Sequence, residues 1–198
     1  STFQLERFHS QMNNLSLVLA WPTVDYQTEI IEDVRKAQPQ GNGVHEYKFR
    51  YTIPAEATGS GAVGIQGYRL IAVKRPNGTI VEKGQRNAGI NVVKYFPITD
   101  REAVPRRKAV KTENCNVCHV KLQLHGEQRN NTEFCVMCHN ANHTDADKRK
   151  TAKGPMPAEN VHYKRLIHRI HTGRNLGEPH IIYGGPAVRI EDTKIHGG

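Results

Sequence analysis

Long hydrophobic runs are missing from this sequence of 198 residues. The longest, from about Leu15 to Trp21, is well short of the ~20 apolar residues that a membrane-spanning helix needs, so no transmembrane segment is predicted. Neither a signal peptide nor an initiating Met is present, and the start at Ser1 indicates a processed or cropped chain. Only 37% of the residues are hydrophobic and the mean hydropathy is -0.64, which favours a soluble, loop-rich protein whose core is partly filled by a cofactor.

Cysteine is also scarce, and all four cysteines lie in two pentapeptides. Cys115 and Cys118 precede His119, and Cys135 and Cys138 precede His139 in the same Cys-x-x-Cys-His pattern, which is typical of covalent c-type haem attachment. Two thiols three positions apart on a helical turn can form thioethers to the two edges of one porphyrin, and the next residue then lies under the iron. We therefore predict two covalently attached haem c groups, with His119 and His139 as proximal iron ligands. No thiol remains for a disulfide.

A four-cysteine zinc ribbon is the competing interpretation of the same cysteines. Its two Cys-x-x-Cys pairs can be separated by the 16 residues found here. A ribbon has no need of the two histidines, however, and its zinc is saturated by four thiolates. The haem interpretation differs because it also requires distal ligands elsewhere in the chain.

The positive charge of the chain is unevenly distributed. Residues 1–105 hold 12 Lys/Arg against 10 Asp/Glu, whereas residues 106–198 hold 16 against 9. Basic runs often bind nucleic acid, but those at 106–108 and 148–150 have no interleaved aromatic residues and belong to no nucleic-acid motif. We predict no nucleic-acid partner, because pairing with haem propionates and ordinary solvation explain these charges more simply.

The first half of the chain, residues 1–105, has the pattern of an antiparallel β-domain. Short alternating or apolar segments separated by Gly, Pro and Asn turns predict a Greek-key sandwich or partly closed split barrel. Gly64 and Gly67 mark bulges or close approaches of the backbone. His9 and His45 are isolated among polar residues and are predicted to be surface or structural. The predicted strands cover residues 15–19, 46–53, 62–73, 79–81 and 90–96.

The second half, residues 106–198, is predicted to be a dihaem domain of loops and short helices. The boundary lies at 99–105, where the alternation stops. Asn160 can cap a helix that runs from Val161 to about Thr172, and Gly173 can end it. This domain is interpreted as part of a longer haem domain.

Three histidines are candidate distal ligands. His168 and His171 are at positions i and i+3 of the predicted helix and border its apolar stripe, so both can reach a buried site. Taken alone, they are equally well explained as half-exposed helix residues or a zinc clip. His125 follows His119 too closely to reach the opposite face of the same iron easily, so a neighbouring haem is its easier target. Methionine ligation is disfavoured by the sequence positions of the three Met residues. Four other histidines have less suitable settings and are predicted to support the ligands from outside the iron coordination or to lie at the surface: His143, His162, His180 and His196.

These motifs together resemble the start of a haem domain in outer-membrane multihaem cytochromes of the OmcA/MtrC type. The similar segments are 115–119, 124–126 with Arg129, 135–140 and 167–173, and upstream 53–54, 64–68 and 103–107. The resemblance implies bis-histidine haems, a split-barrel β-domain and extracellular electron transfer. Members carry about ten haems, so two motifs indicate a fragment or a reduced relative.

From the residues and this resemblance we expect an electron-transfer protein rather than an enzyme. It would be exported to the outer-membrane surface or the extracellular space, with the periplasm as second choice. Its partners would be other multihaem cytochromes, further haem domains of the same polypeptide and extracellular electron acceptors. Three histidines for two distal positions predict that one ligates a haem outside these residues. A haem enzyme with one open iron site, such as a reductase or peroxidase, is the alternative alongside the zinc ribbon.

Overall fold

The computed structural model describes residues 12–149, 157–177, 180–184 and 188–189. His9 and His196 lie outside these ranges. The strands are β1 (Asn14–Trp21), β2 (Thr28–Asp33), β3 (Gln38–Gly41), β4 (Val44–Glu46), β5 (Ser60–Lys74), β6 (Ile80–Ala88), β7 (Val92–Pro97), β8 (Tyr183–Gly184) and β9 (Val188–Arg189). The helices are α1 (Thr112–His119), α2 (Thr132–Cys138), α3 (Ala146–Arg149) and α4 (Tyr163–Thr172), and a 3₁₀ turn follows at Gly173–Asn175.

The main sheet has five antiparallel strands arranged around β5. The N-terminal part of β5 pairs with β1 on one edge and with β7 on the other, and its C-terminal part pairs with β6. Strand β2 pairs with the outer edge of β1, and β3 and β4 form a separate hairpin. The predicted antiparallel β-structure is thereby confirmed, whereas its closure into a Greek-key barrel or sandwich stays a prediction.

One predicted strand, at residues 46–53, is wrong. Beyond Glu46, the end of β4, these residues form no strand. The carboxylate of Glu32 on β2 instead accepts hydrogen bonds from the Tyr47 hydroxyl at 2.6 Å and from the backbone N–H groups of Arg50 and Tyr51 at 3.1 and 2.9 Å. Because these donors bind a side chain, they are not available to a neighbouring strand.

The core lies between the sheet and α2. Glycine at position 64 is required there, because a Cβ would come within 2.7 Å of the Phe134 ring and 2.8 Å of the Met137 sulfur. The sheet and the second Cys-x-x-Cys-His motif therefore share one hydrophobic core. Its buried members are Val18, Ala20, Tyr26, Ala62, Phe134, Met137 and Cys138.

Polar contacts also join the sheet to the residues that follow it. Asn91 and Asn130 bind each other twice, with each backbone N–H donating to the side-chain oxygen of the other residue at 3.0 and 2.8 Å. The side-chain nitrogen of Asn91, Nδ2, also donates to the backbone carbonyls of Ile65 and Gln128. Since Asn91 is buried, these bonds fix the loop before α2 against β5.

Candidate haem-binding site

The two Cys-x-x-Cys-His motifs lie on α1 and α2, and the starts of these helices are tied together. The hydroxyl of Thr112 accepts a hydrogen bond from the Thr132 backbone N–H at 3.0 Å and contacts the Thr132 hydroxyl at 3.1 Å. Asn131 caps α2 by accepting from the backbone N–H of Glu133 at 2.9 Å. This junction holds the two motifs side by side.

The two motifs differ in burial. Helix α1 has no buried residue, and Cys118 and His119 are exposed. Cys135 and Cys138 on α2 are buried, and burial raises the pKa of each thiol to about 11. The first motif therefore lies at the surface, and the second faces the core that α2 shares with the sheet.

No disulfide joins the four cysteines, and three or more ligand side chains do not come together to hold a metal ion anywhere in the described ranges. A ribbon site would gather all four sulfur atoms around one zinc. This arrangement does not favour the zinc-ribbon alternative.

Each motif histidine instead has a second imidazole close to it. The ring centres of His119 and His171 are 6.2 Å apart, and those of His125 and His139 are 5.9 Å apart. Metal–nitrogen bonds of about 2 Å place two imidazoles on opposite sides of one metal with their ring centres about 6 Å apart. Both pairs have the spacing that a bis-histidine haem requires.

The electrostatics of the second pair also suit metal ligation. Burial, with smaller contributions from nearby positive groups, lowers the pKa of His125 to about 4. Burial likewise lowers the pKa of His139, whose Nδ1 donates to the Val161 carbonyl at 2.9 Å. Both rings are neutral at pH 7, and the bond to Val161 leaves Nε2 of His139 as the free donor atom.

His125 reaches this position on a short closed loop. The backbones of Leu124 and Arg129 bond to each other in both directions, at 2.9 and 3.2 Å. Within the loop His125 has a φ of 52° and Gly126 a φ of 70°. Arg86 of β6 donates to the Gly126 carbonyl at 3.0 Å, and a Cβ at that glycine would overlap the guanidinium. The loop is thus fixed against the sheet.

His143 also lies at this site. Its ring centre is 6.4 Å from that of His139, and its Nδ1 lies 2.6 Å from a carboxylate oxygen of Glu29 on β2. This bond raises the pKa of His143. Both rings line a cleft of about 620 Å³ that His125 and Glu29 also line. The sequence contains one weak signal for this placement, the four-residue spacing from His139.

The remaining predicted histidines lie elsewhere. His168 is exposed on α4, one turn before His171. His162 precedes α4, and His180 is buried, with its Nδ1 2.9 Å from an Arg169 nitrogen.

Helix α4 begins at Tyr163, two residues later than predicted, and ends at Thr172, directly before Gly173, as expected. Asn160 caps no helix, but its side chain accepts from the His162 N–H at 2.6 Å.

Taken together, the donor set fits haem c. In each motif the two thiols are one helical turn apart and a histidine follows the second thiol. Each of these histidines has a second imidazole at the required spacing. Cys115 and Cys118 with His119 and His171 would hold one group. Cys135, Cys138, His139 and His125 would hold the other.

Comparison with protein families agrees with this chemistry. Residues 107–192 match the model of a family described as outer membrane cytochrome MtrC/MtrF-like, domains II/IV. This segment is similar to the MtrC/MtrF-like family of outer membrane cytochrome domains. The match confirms the resemblance to outer-membrane multihaem cytochromes of the MtrC type.

Among solved structures, the chain is similar to MtrC from Shewanella baltica OS185. The similarity covers 80% of this chain and 27% of the MtrC chain, with 22% sequence identity and a TM-score of 0.47. The chain thus spans about a quarter of the length of that cytochrome. A search of curated proteins found no match. Across the described ranges, the helices are all too short or too polar to cross a membrane.

Proposed function

We propose that the chain carries electrons through two covalently bound haem c groups. The observation that carries the proposal is the pairing of each motif histidine with a second imidazole about 6 Å away, because a ribbon or a single metal site has no use for it. The match of residues 107–192 to an outer membrane cytochrome family supports it.

The residues of each site have separate roles. Cys115 and Cys118 would fix one porphyrin and Cys135 and Cys138 the other, with His119 and His139 as proximal ligands. His171 and His125 would be the respective distal ligands, supported by their ring distances. When bound, the haem iron supplies the redox chemistry by alternating between its ferric and ferrous forms.

Two imidazoles on each iron would leave no coordination position for a substrate. Backbone bonds hold the His125 loop and the His139 ring in place, so both ligands would be positioned in advance. These features favour electron transfer over the alternative of a reductase or peroxidase with an open iron site.

His168 remains without an iron in this scheme, and we assign it to a haem outside these 198 residues. Its position on α4, one turn from His171, supports the assignment. The Cβ atoms of residues three apart on a helix are about 5–6 Å from each other, so the two side chains can serve different haems. The haem would belong to a further domain of the same polypeptide or to another multihaem cytochrome.

The proposed setting follows from the same evidence. An exported protein at the outer-membrane surface or in the extracellular space is supported by the family description, with the periplasm as the second choice. The electron acceptors would be extracellular. The Greek-key closure of residues 1–105 and the division from a haem domain at 106–198 are part of this proposal.

Covalent haem content tests the central claim. We expect haem staining after denaturing electrophoresis, together with an intact mass that shows two haem additions. An apoprotein mass with bound zinc would disprove the proposal in favour of the ribbon.

Electron paramagnetic resonance of the oxidised protein tests the ligands. The parent protein should give only low-spin ferric signals, and His171→Ala and His125→Ala should each convert one haem to high spin. His143→Ala is the matched control and should keep the low-spin signals. Substantial high-spin iron in the intact parent would support the enzyme alternative, and conversion by His143→Ala rather than His125→Ala would reverse the distal assignment.

A further inference from the structure

Arg129 lies between the two Cys-x-x-Cys-His motifs, and the proposed function assigns it no role. Its backbone closes the His125 loop through the two bonds to Leu124. Its side chain is partly buried and donates from Nε to the Gln66 side-chain oxygen of β5 at 2.8 Å. The sheet therefore holds this guanidinium in a defined place.

The Arg129 side chain lies on the face of the sheet that packs against the second haem motif. Its partner Gln66 is buried and lies two residues along β5 from Gly64, so the two positions are on the same face of the strand. A Cβ at Gly64 would meet side chains of α2, so this is the face that α2 covers. The backbone bonds that close the loop place Arg129 beside the segment that carries His125. One permanent positive charge is thus held on the face of β5 that α2 covers, next to the loop of the candidate distal ligand.

No carboxylate of the described ranges forms an ion pair with Arg129, whose side-chain partner is the neutral amide of Gln66. Glu29, the acidic residue that lines the cleft with His125 and His139, is engaged elsewhere. Its two oxygens bind Asn140 at 2.7 Å and His143 at 2.6 Å. The positive charge at the second motif is therefore not cancelled by a direct partner.

We propose that Arg129, anchored to β5 through Gln66, is a positioning residue that keeps a fixed positive charge beside the second haem and raises its reduction potential. The inference rests on the proposed function. One-electron reduction of ferric to ferrous iron, by a donor haem or an electrode, removes one positive charge from the site. A nearby guanidinium favours that reduction, because partly buried charges interact more strongly than charges in bulk water.

Removal of the charge should make the second haem harder to reduce. In the two-haem protein, Arg129→Gln should shift one of the two one-electron components of a redox titration to lower potential and leave the other component in place. We expect about a tenfold change in the reduction equilibrium constant, which is about 59 mV for a one-electron couple.

Three further variants separate charge from structure. Arg129→Lys retains the charge and should restore most of the potential. Gln66→Leu keeps the arginine but removes its anchor, so the shift should be smaller than that of Arg129→Gln. Arg75→Gln is the matched control, because Arg75 is nine residues beyond Gln66, about 30 Å along an extended strand, and well beyond the screening length. It should leave both components unchanged.

The outcomes are distinguishable from a failure of the proposed function, which would appear as missing haem in the parent protein. An Arg129→Gln titration that superimposes on the parent, with both haems attached, overturns the inference. It is also overturned if Arg129→Gln and Arg129→Lys shift the potential equally. A high-spin signal in Arg129→Gln would likewise show that the residue only supports the His125 loop.

Discussion

At the scale of single residues, Glu32 shows how one buried carboxylate can decide local structure. Burial tends to raise its pKa, but the hydrogen bonds from Tyr47, Arg50 and Tyr51 outweigh burial and lower the pKa to about 2. The charged form is therefore the one that the fold prefers. The carboxylate of Glu32 holds the segment from Tyr47 to Tyr51 in place. The alternating sequence pattern of this segment would by itself favour a strand.

Replacing Glu32 by glutamine should lower the free energy of unfolding by about 2 kcal/mol at pH 7, because charge-assisted hydrogen bonds are lost. The folded pKa lies below the ordinary value of 4.5, so the ionised carboxylate stabilises the fold above that pH. Its contribution disappears as the pH falls from 4.5 towards 2. The difference between Glu32→Gln and the parent in urea unfolding should therefore shrink over this range.

Glu56→Gln makes the same chemical change at an exposed turn position and should alter stability by less than ~0.5 kcal/mol. Equal effects of the two variants, or a Glu32→Gln effect that does not change with pH, would contradict this account of the carboxylate.

At the scale of secondary structure elements, the packing of β5 against α2 depends on a missing side chain. Phe134 and Met137 are completely buried and occupy the space over Gly64. Since neither side chain has solvent to move into, the helix can approach the strand only where Cβ is absent. This contact fixes the helix that carries the second motif.

Gly64→Ala should destabilise the protein by about 1–3 kcal/mol, as overpacked cores do. Differential scanning calorimetry of the holoprotein measures the effect. The control is Gly89→Ala, where the nearest atom to a new Cβ is the Gly67 carbonyl oxygen at 4.0 Å. That change should be neutral or stabilise by up to ~1 kcal/mol. A neutral Gly64→Ala variant would mean that α2 is not held against β5.

At the scale of the whole molecule, the sheet and the haem-motif segment form one packed unit. Tyr26 and Ala62 of the first half share a core with Phe134 and Cys138 of the second, and polar bonds such as Asn91 to Asn130 and Glu29 to Asn140 cross the same boundary. The composition change near residue 105 marks a change of local structure. The packing continues across it.

We therefore expect the haem segment and the sheet to unfold together. Thermal unfolding followed by far-ultraviolet circular dichroism, which reports the sheet, should coincide with the change in the Soret band, which reports haem ligation. Phe134→Ala, which removes a shared core side chain, should lower both midpoints by the same amount. Two transitions separated by several degrees, or a variant that moves only one of them, would show that the halves fold independently.

The sequence by itself predicted the haem-attachment chemistry and most strands of the main sheet. Two thiols three residues apart followed by histidine have a local meaning that no fold is needed to recognise, and β1, β5, β7 and α4 follow local apolar periodicity. The tertiary structure decided what depends on distant partners. It brought His171 against His119 and His125 against His139, placed Glu29 beside His143, and left residues 47–53 without a strand. Such pairings join side chains as many as 114 residues apart, and local periodicity carries no information about which distant groups will meet.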